Sequence, residues 1–222
     1  MSLVFDTLIS CSEKLLEILS KNGTEVKENH GFDWDNYFFQ SDKFRRAHLD
    51  IVDARETKRL YMMHLCVFPH INDDSPIYGF DIIAGPNKVT GAFHDFSPNS
   101  NRNHEMYQWY HDRVKDIEWS KKRKLPEWAT NIFSDSMIAA GNINKTDELN
   151  LISFLARSNL TYYLDNVGKF SDVDTTESQN YYCENQRKNP HTPKVMESLG
   201  FDADTVQRFI QQCLFPPVNP QE

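Results

Sequence analysis

Arg46-Ala47-His48-Leu49-Asp50-Ile51-Val52 alternates in character from one residue to the next. Side chains on an extended strand point to opposite faces in turn. His48 and Asp50 therefore share one face, and Ala47, Leu49 and Ile51 share the other. Two more strand-like runs follow. Leu60-Tyr61-Met62-Met63-His64-Leu65-Cys66-Val67-Phe68 closes at Pro69 and carries His64. Ile77-Tyr78-Gly79-Phe80-Asp81-Ile82-Ile83-Ala84 closes at Gly85-Pro86 and carries Asp81. Between them, Asn72-Asp73-Asp74-Ser75-Pro76 is turn chemistry. If consecutive strands pair as neighbours, four titratable groups (His48, Asp50, His64 and Asp81) gather on one sheet face.

Working outward, Lys88-Val89-Thr90-Gly91-Ala92-Phe93-His94-Asp95-Phe96 reads as a fourth strand ending at Ser97-Pro98-Asn99. Short loops between the four imply an antiparallel meander. Upstream, Phe32 to Phe39 reads as an edge strand or two short ones. Leu3, Val4, Leu8, Ile9, Leu15, Leu16, Ile18 and Leu19 have helical spacing, stopped at Asn22-Gly23. Beyond residue 100 the signal is helical. Residues 103–119 place Met106, Trp109, Tyr110, Val114 and Ile117 on one side. A helix from Asp147 to about Tyr163 has Thr146 as N-cap. Asp174-Thr175-Thr176-Glu177 has the pattern of a capping box, opening a helix to about Lys188. Pro193 opens another, stopped by Gly200, and Asp202 to Leu214 is the last. The expected fold is α+β: a three-layer α/β/α sandwich, its central antiparallel sheet flanked by helices, as one domain over residues 1–222.

The net charge of −8 argues against a general nucleic-acid binder. One local basic run, Lys121-Lys122-Arg123-Lys124, stands against that balance. Cys11, Cys66, Cys183 and Cys213 form no CxxC pair, so they read as reduced, buried thiols rather than zinc or iron–sulfur ligands. The amino end, Met1-Ser2-Leu3-Val4-Phe5-Asp6, lacks the basic region and long apolar run of a secretory signal, and no apolar stretch approaches a membrane span. There is no GxGxxG, phosphate loop, GxSxG elbow or His-x-x-x-His pair. An oxidoreductase of this sequence would draw its electrons from a partner protein.

Several blocks carry a family likeness. They are Arg46-Ala47-His48-Leu49-Asp50, His64-Leu65-Cys66-Val67-Phe68-Pro69, Tyr78 to Pro86, and Asp95-Phe96-Ser97-Pro98. Leu125-Pro126-Glu127-Trp128, Ile132-Phe133-Ser134 and Tyr182 to Asn189 add to them. Together they resemble the ferredoxin-dependent bilin reductases, over about residues 40 to 215. The resemblance implies reduction of biliverdin IXα by single electrons from a reduced 2Fe-2S ferredoxin, with no cofactor or metal held by the protein. It implies a bilin bound between the sheet and the carboxy-terminal helices. It further implies a monomer in the cytoplasm of a cyanobacterial or phage-infected host cell.

By the same resemblance Asp81 matches the family's central proton donor and His64 its proton relay. His48 takes a supporting role. Gln186, Asn189, His191 and Thr90 are the expected substrate contacts. Ferredoxins are acidic, so Lys121, Lys122, Arg123 and Lys124 are the expected docking run, with Arg45, Arg46, Lys58 and Arg59 as further contributors. Plainer readings stand beside these. Asp81 could be a salt-bridged strand-end carboxylate, and His64 a core histidine beside Cys66. Gln186 and Asn189 could cap helix ends, and the basic run could be a solvated face.

The departures are informative. The phycocyanobilin-forming members have Glu where this chain has Asp50, and that Glu helps reduce the D-ring vinyl group. Asp is one methylene shorter, which sets its carboxyl back by roughly 1 Å. The expectation is reduction at the bridge between rings C and D, then at the A-ring diene, giving phycoerythrobilin as in phage-encoded relatives. Pro190 stands where many members have an aspartate. His191 replaces a basic residue that holds a propionate, and Gly141 a propionate-holding arginine. Lys194, Arg187 or Lys188 could substitute. Two other classes fit the residues: a bilin carrier without turnover, and a metalloenzyme ligated by His48, Asp50, His64 and Asp81.

Overall fold

The structure, a computed structural model, describes residues 2–28, 31–32 and 34–218. Met1, Asp33 of the expected edge strand and the last residues of the expected domain, 219–222, lie outside them. Helix α1 (Leu3–Asn22) precedes strands β1 (Thr24–Val26), β2 (Asp35–Gln40) and β3 (Phe44–Ala54). A turn of helix, α2 (Arg55–Lys58), leads into β4 (Leu60–Pro69), β5 (Ile77–Gly85) and β6 (Lys88–Ser97). Then come α3 (Glu105–Val114), α4 (Glu127–Thr130), β7 (Ile138–Ile143) and α5 (Thr146–Asn166). The chain closes with α6 (Thr176–Gln186), α7 (His191–Ser198), α8 (Ala203–Arg208) and a π-helix (Phe209–Leu214).

Among the described residues the strands form one seven-stranded antiparallel sheet in the order β1 to β7. The expected four-strand meander is its centre. Period-two alternation divides the core. Leu49, Leu65, Val67, Phe80 and Ile82 face α1, α3 and α5, where Leu8, Leu15, Tyr110 and Leu160 complete one cluster. Phe38, Cys66, Phe68 and Ile77 face the carboxy-terminal helices, where Tyr182, Met196, Val206 and Phe209 complete a second. The sandwich is three-layered, as the sequence implied. All four cysteines are free and buried. No helix among the described residues is long and apolar enough to cross a membrane.

Some boundaries differ from expectation for local reasons. β2 begins at Asp35 and β1 pairs outside it, so the Phe32–Phe39 segment is not the edge. α3 stops at Val114, short of residue 119. The N-cap of α5 is Lys145, without a side-chain cap bond; Thr146 is already helical. The capping box at Asp174–Glu177 does not form. Asp174 Oδ1 instead accepts from Thr176 N at 2.9 Å, and Thr175 Oγ1 donates to Ile71 O at 3.0 Å. α7 starts at His191, before Pro193, because Asn189 Oδ1 accepts the His191 N–H at 3.0 Å. The final helix changes from α to π at Phe209. The basic run is not free chain either. Arg123 N donates to Ala139 O at 2.8 Å and Gly141 N to Lys121 O at 2.9 Å, which covers the outer edge of β7.

Candidate active site

Strand register creates the site. Asp50 pairs with His64, and His64 with Asp81. Asn36 and Phe93 extend that rung at its two ends. Residues on one rung point to one face, so three titratable side chains stand in a row across β3, β4 and β5. The next rung is Phe38, His48, Cys66, Gly79 and Asp95. Gly79 leaves a gap there: a Cβ at this position would lie 3.5 Å from Tyr182 Oη of α6.

Above the rung lies a cavity of about 370 Å³, the size of small-molecule sites in general. Asp50, His64, Asp81 and Phe93 form its floor. Tyr182, Gln186 and Asn189 come from α6 and the turn after it, and Phe209 and Phe215 from the π-helix and the residue after it. Phe215 packs edge-on to His64 at 5.6 Å, and Phe209 to His48 at 6.4 Å. π-Helical turns concentrate at functional sites, and this one sets two aromatic rings over two histidines.

The electrostatics follow from burial. Asp50 is 2% exposed. Burial pushes its carboxyl well above the usual range and the charge of Asp81 adds to this, only partly offset by the Trp34 indole. Burial alone raises Asp81 to about 6 and lowers His64 to about 4. His64 Nδ1 lies 3.8 Å from Asp50 Oδ1. Burial thus favours the neutral form of the His64 imidazole and of the Asp50 carboxyl, whereas Asp81, at about 6, gains and loses its proton close to neutral pH. Asp50 can hold a proton against the ligand, and Asp81 can take one up and pass it on near neutral pH.

His48 plays a different part from its neighbours. Its Nε2–H donates to Asn36 Oδ1 at 2.9 Å, while Asn36 Nδ2 donates to Trp34 O at 3.0 Å. The ring stacks on Phe38 at 4.3 Å. It sits beneath Phe209, off the cavity wall, and is a positioning group. Thr90 occupies a β-bulge on β6, its Oγ1 donating to Ile83 O at 3.0 Å, and lines the cavity with His191. Gln186 Nε2 donates to Tyr182 Oη at 2.7 Å and Asn189 Nδ2 to Thr192 Oγ1 at 3.3 Å, so both also organise helix ends.

The basic run divides. All four residues are exposed, but Arg123 and Lys124 also line the cavity, whereas Lys121 and Lys122 do not. Arg45 and Arg46, expected to help docking, are buried instead. Arg45 Nε donates to Gln179 Oε1 at 2.8 Å, and Arg46 pairs with Glu28 and donates to Cys213 O at 3.1 Å. Asp95 accepts from Ser97 Oγ at 2.9 Å. It also accepts from Ser134 N at 2.8 Å, tying β6 to the loop before β7. Among the described residues no cluster of three or more His, Cys, Asp or Glu could hold a metal ion.

The family model of the ferredoxin-dependent bilin reductases matches residues 7–216. The chain belongs to the ferredoxin-dependent bilin reductases. Among curated bilin reductases, it is 30% identical over 188 residues to the phycocyanobilin:ferredoxin oxidoreductase of Gloeobacter violaceus, covering 81% of this chain and 72% of the relative. It is also 30% identical over 205 residues to the Synechococcus sp. (strain CC9605) enzyme of that name, covering 88% and 80%. Among solved structures, PcyX superposes with a TM-score of 0.70 at 37% identity, covering 96% of this chain and 99% of that one. Tomato phytochromobilin synthase in complex with biliverdin superposes at 0.74 and 16% identity, covering 95% and 84%, a likeness of fold. As a bilin reductase the chain is an oxidoreductase of a ferredoxin-dependent family, and its α/β/α sandwich is that family's fold.

Tyr182, Phe209 and Phe215 were not among the expected site residues. Tyr182 was within reach: it lies four residues before Gln186, on the same helix face. The two phenylalanines were not, because a π-helix has no distinctive sequence period.

Proposed function

We propose that this bilin reductase, acting as a single domain, converts biliverdin IXα to phycoerythrobilin. Four electrons arrive singly from a reduced ferredoxin, and four protons arrive from solvent through the row Asp50, His64 and Asp81. Each electron added to the uncharged conjugated system builds negative charge and raises the basicity of the bilin. A proton from the row then neutralises the radical anion before the next electron comes. A carboxyl that burial biases toward its protonated form, as at Asp50, suits this, since an ionised one would repel the charge being formed.

The observation that carries the product assignment is Asp50. Its carboxyl is buried, raised and 3.8 Å from His64 Nδ1, so it belongs to the proton-delivering row. Its short side chain draws it back toward the sheet, and a set-back of this order costs large factors in rate at the atom it no longer reaches. The D-ring vinyl is left unreduced. Two electrons and two protons saturate the bridge between rings C and D, and two of each reduce the A-ring diene. Gln186, Asn189, His191 and Thr90 contact the bilin from the cavity wall. Lys121 and Lys122 meet the acidic ferredoxin.

Anaerobic turnover of the wild-type protein with biliverdin and photoreduced ferredoxin, followed by chromatography of the bilins, tests the reading. Phycoerythrobilin is the expected product. Phycocyanobilin would remove the role given to Asp50, and tight binding with unchanged absorbance would mark a carrier.

A further inference from the structure

Two glycines face each other where the sheet meets the cavity: Gly91 on β6 pairs with Gly141 on β7. A Cβ on Gly141 would lie 2.7 Å from Arg123 Nε, closer than atoms pack, and 3.3 Å from its Cγ, a tight contact. Arg123 therefore occupies the room that Gly141 leaves. The placement is held from three sides. The Arg123 backbone N–H is tied to Ala139 O, its Nη2 donates to the Thr90 carbonyl, and its guanidinium carbon lies 5.8 Å from the Phe93 ring centroid. Thr90, Phe93 and Arg123 all line the cavity. Among the described residues only that one donor of the side-chain fork is committed. Arg is permanently charged and its planar fork matches a carboxylate. In a chain of net charge −8, a ligand carboxylate needs such a local cation.

We infer that Arg123, seated by Gly141, anchors a carboxylate of the bound ligand, which on the reading proposed above is a propionate of the bilin. The chain thus holds at the end of its basic run a cation serving the substrate rather than the electron donor. Gly141 lacks a side chain because the side chain that matters there comes from Arg123.

Absorbance titrations with biliverdin and with biliverdin dimethyl ester, whose propionates are uncharged, test the anchor. The wild type should prefer the diacid by about 10- to 100-fold, the range of a charge-assisted contact. Arg123→Gln should abolish most of that preference by weakening the diacid while leaving the ester unchanged. Arg123→Lys should restore part of it. Gly141→Ala should reduce it with the charge still present. An unchanged diacid-to-ester ratio in Arg123→Gln, or an equal loss for both ligands, would overturn the anchor alone. A wild type that binds neither ligand would overturn the underlying reading and the anchor with it.

Discussion

Asp81 lies on the cavity floor with a carboxyl raised to about 6 by burial. Unfolded, the same group titrates near its ordinary 3.8. Between those values the folded chain holds the extra proton, so ionising Asp81 at higher pH costs the folded state. That cost is absent below 3.8 and fully present above about 6. Asp81→Asn should therefore raise the melting temperature at pH 7 to 8 and leave it unchanged near pH 3.5. The gain is on the order of 2 kcal/mol, or roughly 4–8 °C for a chain of this size. The same variant should lose about 10²- to 10⁴-fold in turnover. Equal melting temperatures at pH 8 would show that Asp81 is not held above its ordinary value. Much at this scale was legible. The alternation in Arg46–Val52 put His48 and Asp50 on one face, and the turn between the next two strands brought His64 and Asp81 beside them. Alternation could not separate His48, which orients its neighbours, from the three that line the cavity. That depends on where Phe209 lies, far along the chain.

Elements were legible in proportion to their contrast. The strands from Phe44 to Ser97 alternate or run apolar between turn residues, and their existence and order follow. β7 escaped notice because Ile138-Ala139-Ala140-Gly141-Asn142-Ile143 has small residues where alternation would show. The connection after α5 is another case where geometry outruns sequence. Gly168 has φ +93°, its N–H donates to Asp73 Oδ2 at 2.7 Å, and a Cβ there would lie 2.9 Å from Lys43 Cα. Gly168→Ala combines a backbone conformation that L-residues rarely adopt with a clash against main chain. It should cost roughly 1–3 kcal/mol and lower the melting temperature by about 3–10 °C. Because Gly168 lies off the cavity wall, kcat at 25 °C should stay within about twofold of wild type. A melting curve superimposable on wild type would contradict the constraint at this turn.

For the whole molecule, the proposed reading has an acidic protein meet an acidic electron donor. The net charge of −8 opposes approach, and the exposed pair Lys121 and Lys122 offers local relief. Lys121→Glu with Lys122→Glu should raise KM for ferredoxin several-fold at low ionic strength and leave kcat at saturating ferredoxin near wild type. The effect should shrink as salt shortens the screening length toward about 8 Å at 0.15 M. An unchanged KM at low salt would place docking on another face. The run was visible in the sequence, but its division was not. A string of four cations looks uniform until Arg123 is seen lying over Gly141. The family resemblance covered the fold and the row Asp50, His64 and Asp81, whereas on the proposed reading the product depends on the one methylene that separates Asp50 from Glu. The most direct measurement of that dependence is a paired anaerobic turnover of wild type and Asp50→Glu with biliverdin and reduced ferredoxin, the bilins resolved by chromatography. The account predicts phycoerythrobilin from the wild type and a shift toward phycocyanobilin from Asp50→Glu. Phycocyanobilin from the wild type, or the same phycoerythrobilin output from both, would contradict it.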